Sequence, residues 1–379
     1  MRLRFHELLS RCSGTFRTLR GAVTLTRTER LFKEFSGADC ALITSDINRR
    51  YFAGMKSSAG VILAFPDKAY LLIDFRYIEK ARATVTTAEV IELKKLLPQL
   101  TELLKLHGAK TMAIESESMT VKELHTYKHF LKEVEIIDDD SLSNAISALR
   151  TVKDEDELAC IIKAQRIAEA ALDELLKFIR PGRTEREIAL ELNRLMFEKG
   201  AEDLSFETIV LSGANTSMPH GVPSDKKVQE GEFVLMDFGA VWNGYHSDMT
   251  RTICVGKPSE EMEKVYNLVL EAQLAGISAA RPGITGRELD AAARDIIEAA
   301  GYGDCFGHSL GHGVGMEIHE KPNASPNNKT PLTKGAVVTV EPGIYIAGKF
   351  GVRIEDFVIL TENGCKNLTE CSKNLISLQ

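Results

Sequence analysis

The sequence predicts an α+β chain, a smaller α/β N-terminal domain followed by a larger domain with pseudo-two-fold symmetry. Three observations lead there. The chain has 379 residues, more than a single domain of ~100–200 residues holds. Up to residue 150, short apolar runs alternate with amphipathic stretches, as strands alternate with helices. Beyond it one pattern occurs twice, about a hundred residues apart, too long a period for a solenoid and suited to two related halves.

Composition narrows the class. Hydrophobic residues make up 44% and charged residues 27%, an ordinary globular balance that excludes a disordered or fibrous chain. No apolar run approaches the ~20 residues of a membrane span, so no membrane partner is expected. A net charge of -7 offers no bulk electrostatic basis for binding nucleic acid. The seven cysteines (Cys12, Cys40, Cys160, Cys254, Cys305, Cys365 and Cys371) are scattered without CxxC spacing. An odd, dispersed set points to reduced thiols and a cytoplasmic protein.

Residues 1–26 read as an N-terminal arm. Arg2, Arg4, Arg11, Arg17 and Arg20 face only Glu7, a composition shared with organelle transit peptides. A flexible arm is the expectation, and no apolar core of a secretory signal is seen. Residues 27–150 form the first domain. Its expected strands are Cys40–Thr44, Gly60–Phe65, Ala69–Ile73, Met112–Ile114 and Val134–Ile137, with a hairpin turning at Pro66-Asp67-Lys68. Leu96–His107 and Val121–Lys132 read as helices. Residues 151–178 read as one long helix, with Asp154 as N-cap, Glu157 completing a capping box and Pro181-Gly182 ending it. The second domain is therefore expected to span 151–379.

Within it, Pro181-Gly182-Arg183-Thr184-Glu185-Arg186-Glu187 recurs as Pro282-Gly283-Ile284-Thr285-Gly286-Arg287-Glu288. Each copy offers a Thr N-cap with Glu three residues on. A second echo aligns Gly231–Gly239 with Gly335–Gly343. In each, a β-rich run ends in a carboxylate, Asp237 or Glu341, and another carboxylate follows, Asp248 or Glu355. A pseudo-symmetric fold brings such residues to a shared axis. Four converging carboxylates stay ionised only with cations among them, so the repeat predicts a metal site. Arg251 and Arg353 are the competing partners for these acids. Asp237 and Glu341, however, directly follow apolar strands, where an unpaired carboxylate is costly.

Three histidines, His308, His312 and His319, cluster near the second echo. His312 lies between glycines that allow close backbone approach, and imidazole is the commonest metal ligand. His319 alternates with Met316 and Ile318 as in a strand, and His220 sits in a turn-like Met218-Pro219-His220-Gly221. Several motifs are lookalikes. Gly307-His308-Ser309-Leu310-Gly311 matches the nucleophile elbow G-x-S-x-G but lacks the strand before and the helix after it. His125 and His129 have helical spacing without the H-E-x-x-H glutamate. The Gly311/Gly313/Gly315 run is not a dinucleotide fingerprint. Cys254 and Cys305 read as packing residues.

Five segments together carry a specific resemblance: Leu235–Gly239, Gly244–Thr252, His308–Gly315, Val340–Tyr345 and Val352–Asp356. They are similar to the motif set of the pita-bread metallopeptidases, the family of methionine aminopeptidase, aminopeptidase P and Xaa-Pro dipeptidase (prolidase). The resemblance spans roughly residues 27–370. It implies a pita-bread catalytic domain with two divalent metal ions held by Asp237, Asp248, His312, Glu341 and Glu355. Asp248 and Glu355 would bridge them. It also implies that His220, His308 and His319 contact the substrate and transition state, and that Arg353 and Tyr345 stand near the site. Glu341 is the expected proton shuttle from the attacking water to the leaving nitrogen. Oxygen-rich ligation with one histidine leans towards Mn²⁺, with Co²⁺ or Zn²⁺ possible.

Ile43–Gly54 and Asp74-Phe75-Arg76-Tyr77 resemble the creatinase-like N-terminal domain of short bacterial-type Xaa-Pro dipeptidases, which are usually homodimers. The implied activity is hydrolysis of the bond preceding proline in small Xaa-Pro peptides. Aminopeptidase P, acting on longer peptides, and a non-catalytic peptide-binding module are the alternatives. Creatinase is metal-free and departs from the five-ligand set, which this sequence keeps whole.

Overall fold

The protein is described by a computed structural model for residues 25–379; residues 1–24 of the expected arm lie outside the described residues. The chain divides into two units between Arg150 and Thr151. The first contains α1 (Arg27–Glu34), β1 (Cys40–Ile43), α2 (Asp46–Ala53), β2 (Val61–Ala64), β3 (Ala69–Ile73), α3 (Ile78–Thr84), β4 (Glu89–Glu92), α4 (Leu96–Leu106), β5 (Thr111–Ile114), α5 (Val121–Phe130), β6 (Glu135–Ile137) and α6 (Ser141–Thr151). Its strands form one sheet in the order β4-β3-β2-β1-β5-β6. The β2–β3 hairpin closes with Ala64 opposite Ala69, and the Phe65 amide donates to the Lys68 carbonyl at 2.7 Å. Every residue of β1, β2 and β3 is buried, which is why these strands read as continuous apolar runs and not as alternation. At the carboxyl end of β1, the buried Glu115 accepts from the amides of Thr44 and Ser45 and from Asn48 Nδ2. A carboxylate thus occupies the positive end of α2.

The second unit contains α7 (Glu155–Leu175), α8 (Glu185–Glu198), β7 (Asp203–Leu204), β8 (Ile209–Ser212), β9 (Glu232–Phe238), β10 (Ala240–Trp242), β11 (Tyr245–His246), β12 (Met249–Val255), α9 (Glu260–Ala279) and α10 (Gly286–Ala299). It continues with β13 (Gly311–Gly313), β14 (Glu320–Ala324), β15 (Val337–Val340), β16 (Gly343–Ile346), β17 (Phe350–Arg353), β18 (Asp356–Leu360), β19 (Cys365–Asn367) and β20 (Ser377–Leu378). The helix expected over 151–178 begins only at Glu155. Val152 is held in a β-bridge to Ala336, and Asp154 caps α7 in a box with Glu157. His319 is not in a strand either. Residues 316–319 form bends before β14, and His319 is exposed.

Helices α7 and α8 pack on the sheet β20-β12-β9-β8, burying Leu172 and Leu192 against Val234 and Met236. Helices α9 and α10 pack on β14-β13-β15-β18-β19, burying Val269 and Leu289 against Val338 and Val340. The two halves repeat each other in hydrogen bonds as well as in sequence. Gly182 donates to Val228 at 2.9 Å and Gly283 to Leu332 at 2.8 Å. Thr184 bridges to Lys227 and Thr285 to Pro331, and each Thr closes a capping box. Among the described residues no helix is long and apolar enough to cross a membrane.

Candidate metal centre

The two central β pairs deliver the acids. Strands β9 and β12 are antiparallel, with Asp237 opposite Thr250 and Asp248 just ahead of β12. Strands β15 and β18 are antiparallel, with Val340 opposite Asp356, so Glu341 follows one strand and Glu355 precedes the other. The halves are stitched where these ends meet. The Glu355 amide donates to the Thr250 carbonyl at 3.1 Å, and Thr250 Oγ1 donates to Glu355 Oε2 at 2.7 Å. His312 comes from β13, which threads between β14 and β15. A Cβ on Gly311 would lie 2.0 Å from the Thr339 carbonyl oxygen, and one on Gly313 would lie 2.3 Å from that of Lys321. Only glycine lets this strand pass so close to its neighbours.

Donor atoms of Asp248, His312 and Glu355 lie within 4.8 Å of one another. His312 Nε2 is 3.3 Å from Glu341 Oε1 and 3.5 Å from Asp248 Oδ2. His312 Nδ1 lies 3.1 Å from the Gly313 carbonyl oxygen, which can only accept. The proton therefore sits on Nδ1, and the Nε2 lone pair faces two carboxylates. Acceptors facing acceptors need a proton or a cation between them. Two more oxygens, Asp237 Oδ1 and Glu355 Oε1, are buried without a hydrogen-bond partner. Such orphaned acceptors fit the donor set of a divalent-ion site. Asp248 and Glu355 are 4% and 1% exposed and make its floor. The side chains of Asp237, His312 and Glu341 are 15–16% exposed and stand at its mouth.

Electrostatics agree with the geometry. Burial, followed by the charges of the neighbouring acids, raises the pKa of Asp248 and of Glu355 well above the carboxylate range. Burial pushes Glu341 up to about 8. Burial also pushes His312 down to about 4, favouring its neutral, ligating form. Without cations the fold favours protons on the acids. With cations it holds a compact cluster of negative charge ready for them.

Arg353 makes no hydrogen bond or ion pair with Glu355, its near neighbour in sequence, and reaches Asp237 instead. Its Nη2 donates to Asp237 Oδ2 at 2.5 Å, its Nε to Thr250 Oγ1 at 2.9 Å and its Nη1 to Tyr345 Oη at 2.7 Å. Tyr345 Oη in turn lies 2.9 Å from His308 Nε2. His308 Nδ1 lies 2.8 Å from the Ser309 carbonyl oxygen, so both ring nitrogens of His308 are engaged. Arg251 does not pair with Asp248. It reaches Asp356 at 2.7 Å and donates to the Glu355 carbonyl at 2.6 Å, tying down the backbone behind Glu355. His319 packs edge-on to His312 with ring centroids 4.3 Å apart. His220 is exposed on the loop after β8.

The lookalikes stay apart. The segment around Ser309 follows a short 3₁₀ turn and leads into β13, so it is no nucleophile elbow. His125 and His129 are exposed on α5 in the first unit. Cys254 is buried in the core of the second half, and Cys305 packs against it. Sequence reasoning missed Thr250 and Thr339. Thr339 Oγ1 accepts from the His312 amide at 2.9 Å and lies 3.1 Å from Glu341 Oε1. The available signal was a threonine in each apolar run two residues from a candidate ligand, Asp248 or Glu341.

Comparison with known proteins follows the same division. Residues 159–362 match the model for metallopeptidase family M24, and residues 27–152 match the creatinase/prolidase N-terminal domain. A protein named Xaa-Pro dipeptidase from Pyrococcus furiosus is 42% identical over 354 residues, 92% of this chain and 99% of that one. A solved Xaa-Pro dipeptidase from Bacillus anthracis superposes with a TM-score of 0.89 at 42% identity, covering 93% of this chain and 99% of that one. An X-Pro aminopeptidase from Thermotoga maritima superposes at 0.87 with 38% identity, covering 93% and 100%.

Proposed function

Since the chain belongs to metallopeptidase family M24 and carries a creatinase/prolidase N-terminal domain, we propose that it hydrolyses the peptide bond preceding proline in Xaa-Pro dipeptides. The residues holding two divalent ions are Asp237, Asp248, His312, Glu341 and Glu355. The observation that carries this reading is the His312 Nε2 lone pair 3.3 Å from one carboxylate and 3.5 Å from another, with unpartnered oxygens of Asp237 and Glu355 beside it. When bound, such ions lower the pKa of water towards neutrality and polarise the scissile carbonyl. Mn²⁺ suits the oxygen-rich set with one imidazole. We extend the reading to a homodimer in the cytoplasm.

The protein's own groups divide the work. Glu341, oriented by Thr339, moves a proton from the attacking water to the proline nitrogen, which leaves as a secondary amine. His319, exposed beside His312, donates to the developing oxyanion, with His220 approaching from its loop. His308 is held by Tyr345 and the Ser309 carbonyl and shapes the wall beside Arg353. Arg353 fixes the Asp237 carboxylate, as outer partners of ligands do.

The likeness to an X-Pro aminopeptidase favours a second reading, action on longer peptides. Proline release from Leu-Pro, and cleavage of Arg-Pro-Pro, decide between them. Chelator-stripped protein is assayed with and without Mn²⁺, Co²⁺ or Zn²⁺. Metal-restored cleavage of the dipeptide is expected. Cleavage of the tripeptide alone would move the assignment to aminopeptidase P. No cleavage with any of the three ions would leave a peptide-binding module.

A further inference from the structure

We propose that Glu185 is a positioning residue that sets His220 by clamping both feet of the loop that carries it. The proposal rests on the reading of His220 as a group that contacts substrate. Glu185 is fully buried at the start of α8. Its Oε1 accepts from the Ser212 amide at 2.7 Å, Ser212 Oγ at 3.0 Å and Asn215 Nδ2 at 3.0 Å. Its Oε2 accepts from the Ser224 amide at 3.0 Å and Ser224 Oγ at 2.6 Å. Ser212 ends β8, and Ser224 follows the loop, so one carboxylate closes residues 213–223 at both ends. The middle of that loop meets the metal centre: Gly351 donates to Thr216 Oγ1 at 2.7 Å, and the Pro219 carbonyl faces Arg353 Nη1 at 3.5 Å.

Helix capping does not account for this carboxylate. Thr184 and Glu187 already form the capping box of α8. The other half supplies a control. The equivalent position is Gly286, where a Cβ would lie 2.2 Å from the Asn323 carbonyl oxygen and 2.5 Å from Asn328 Nδ2. The backbone bonds around it are shared, Arg186 to Ser224 in one half and Arg287 to Asn328 in the other. The scaffold is thus repeated, while the buried carboxyl group with its five donors occurs in the half whose loop bears His220. A polar group buried at this depth needs its acceptor sites met, and here they are met by the loop.

The test is a double-mutant cycle of E185Q and H220A on Leu-Pro hydrolysis, joined to hydrogen exchange of the 213–223 amides in metal-free protein. In E185Q an amide NH₂ faces amide and hydroxyl donors, so part of the clamp opens with little change of volume. Exchange across 213–223 should quicken at least tenfold. The kcat/KM should fall about tenfold or more through kcat, as misplacement of a catalytic group predicts. H220A should cost about 10²-fold, and the double variant should stay within about twofold of H220A, because the two act as one unit. Losses that multiply in the double variant, or unchanged exchange in E185Q, would overturn the clamp. A wild-type kcat/KM in H220A would instead refute the role of His220, and the clamp's purpose with it. If E185Q does not fold, S224A removes one bond and should give a smaller change in the same two readouts; wild-type values in both would refute the proposal.

Discussion

Stripping the metal should make stability fall with rising pH in a window the structure defines. Glu341 in the metal-free fold has its pKa raised from 4.5 to about 8, and Asp248 and Glu355 are raised in the same direction. A carboxyl raised on folding contributes stability below its unfolded value and loses it as pH climbs through the folded value. His312 works oppositely. Its pKa is lowered from 6.5 to about 4, so its contribution is complete above pH 6.5 and is lost as pH falls through 4. Between pH 6.5 and 8 the carboxyls set the fall, against a smaller opposing tail from His312, His308 and His246, whose pKa values burial lowers. At about 1.36 kcal/mol per pH unit, Glu341 alone should cost the stripped protein on the order of 2 kcal/mol across that window. In protein loaded with Mn²⁺ the acids stay ionised on folding, so the slope should vanish. Urea unfolding followed by the fluorescence of Trp242, the single tryptophan and a residue of the site-bearing unit, measures both. Stripped protein that is equally stable at pH 6.5 and 8 would refute the convergence of charge on which the metal reading stands.

Three further outcomes are expected. Asp248→Asn should abolish metal retention, measured by elemental analysis after gel filtration, together with activity. His319→Ala should retain metal but lose about 10²–10³ in kcat, and a loss within threefold would remove it from the oxyanion role. Thr285→Ala breaks the capping box of α10 away from the site, so it should cost about 1 kcal/mol in unfolding while leaving kcat at the wild-type value.

Much of the site was legible because duplication writes itself into sequence. Thr184/Glu187 and Thr285/Glu288 announced two equivalent helix starts, and both are closed capping boxes. Asp237 and Glu341 ended equivalent apolar runs and lie at equivalent strand ends. What stayed hidden was partnership. Arg251 and Arg353 both lay near acids in sequence, yet Arg251 serves Asp356 and Arg353 serves Asp237 across the sheet. Sequence proximity does not rank such choices, because strand register places the partner. Strand β4 was equally silent, since Glu89 and Glu92 at a sheet edge break the apolar run that marks its buried neighbours. His319 reads as a strand residue because Met316 and Ile318 alternate with polar neighbours in sequence, yet residues 316–319 are bends whose exposure rises steadily towards His319.

The seam at Thr250 and Glu355 has a consequence for how the protein could be divided. Asp237 and Asp248 belong to one half, and His312, Glu341 and Glu355 to the other, with Thr250 reaching across to Glu355 at 2.7 Å. A chain cut in the turn before α9, where Lys257 and Ser259 are exposed, would yield two fragments, each holding part of the proposed ligand set. On the proposed reading, a bound ion would then act as a molecular rivet. Its retention would depend on fragment concentration, and titrating one fragment into the other would read out the strength of the seam directly.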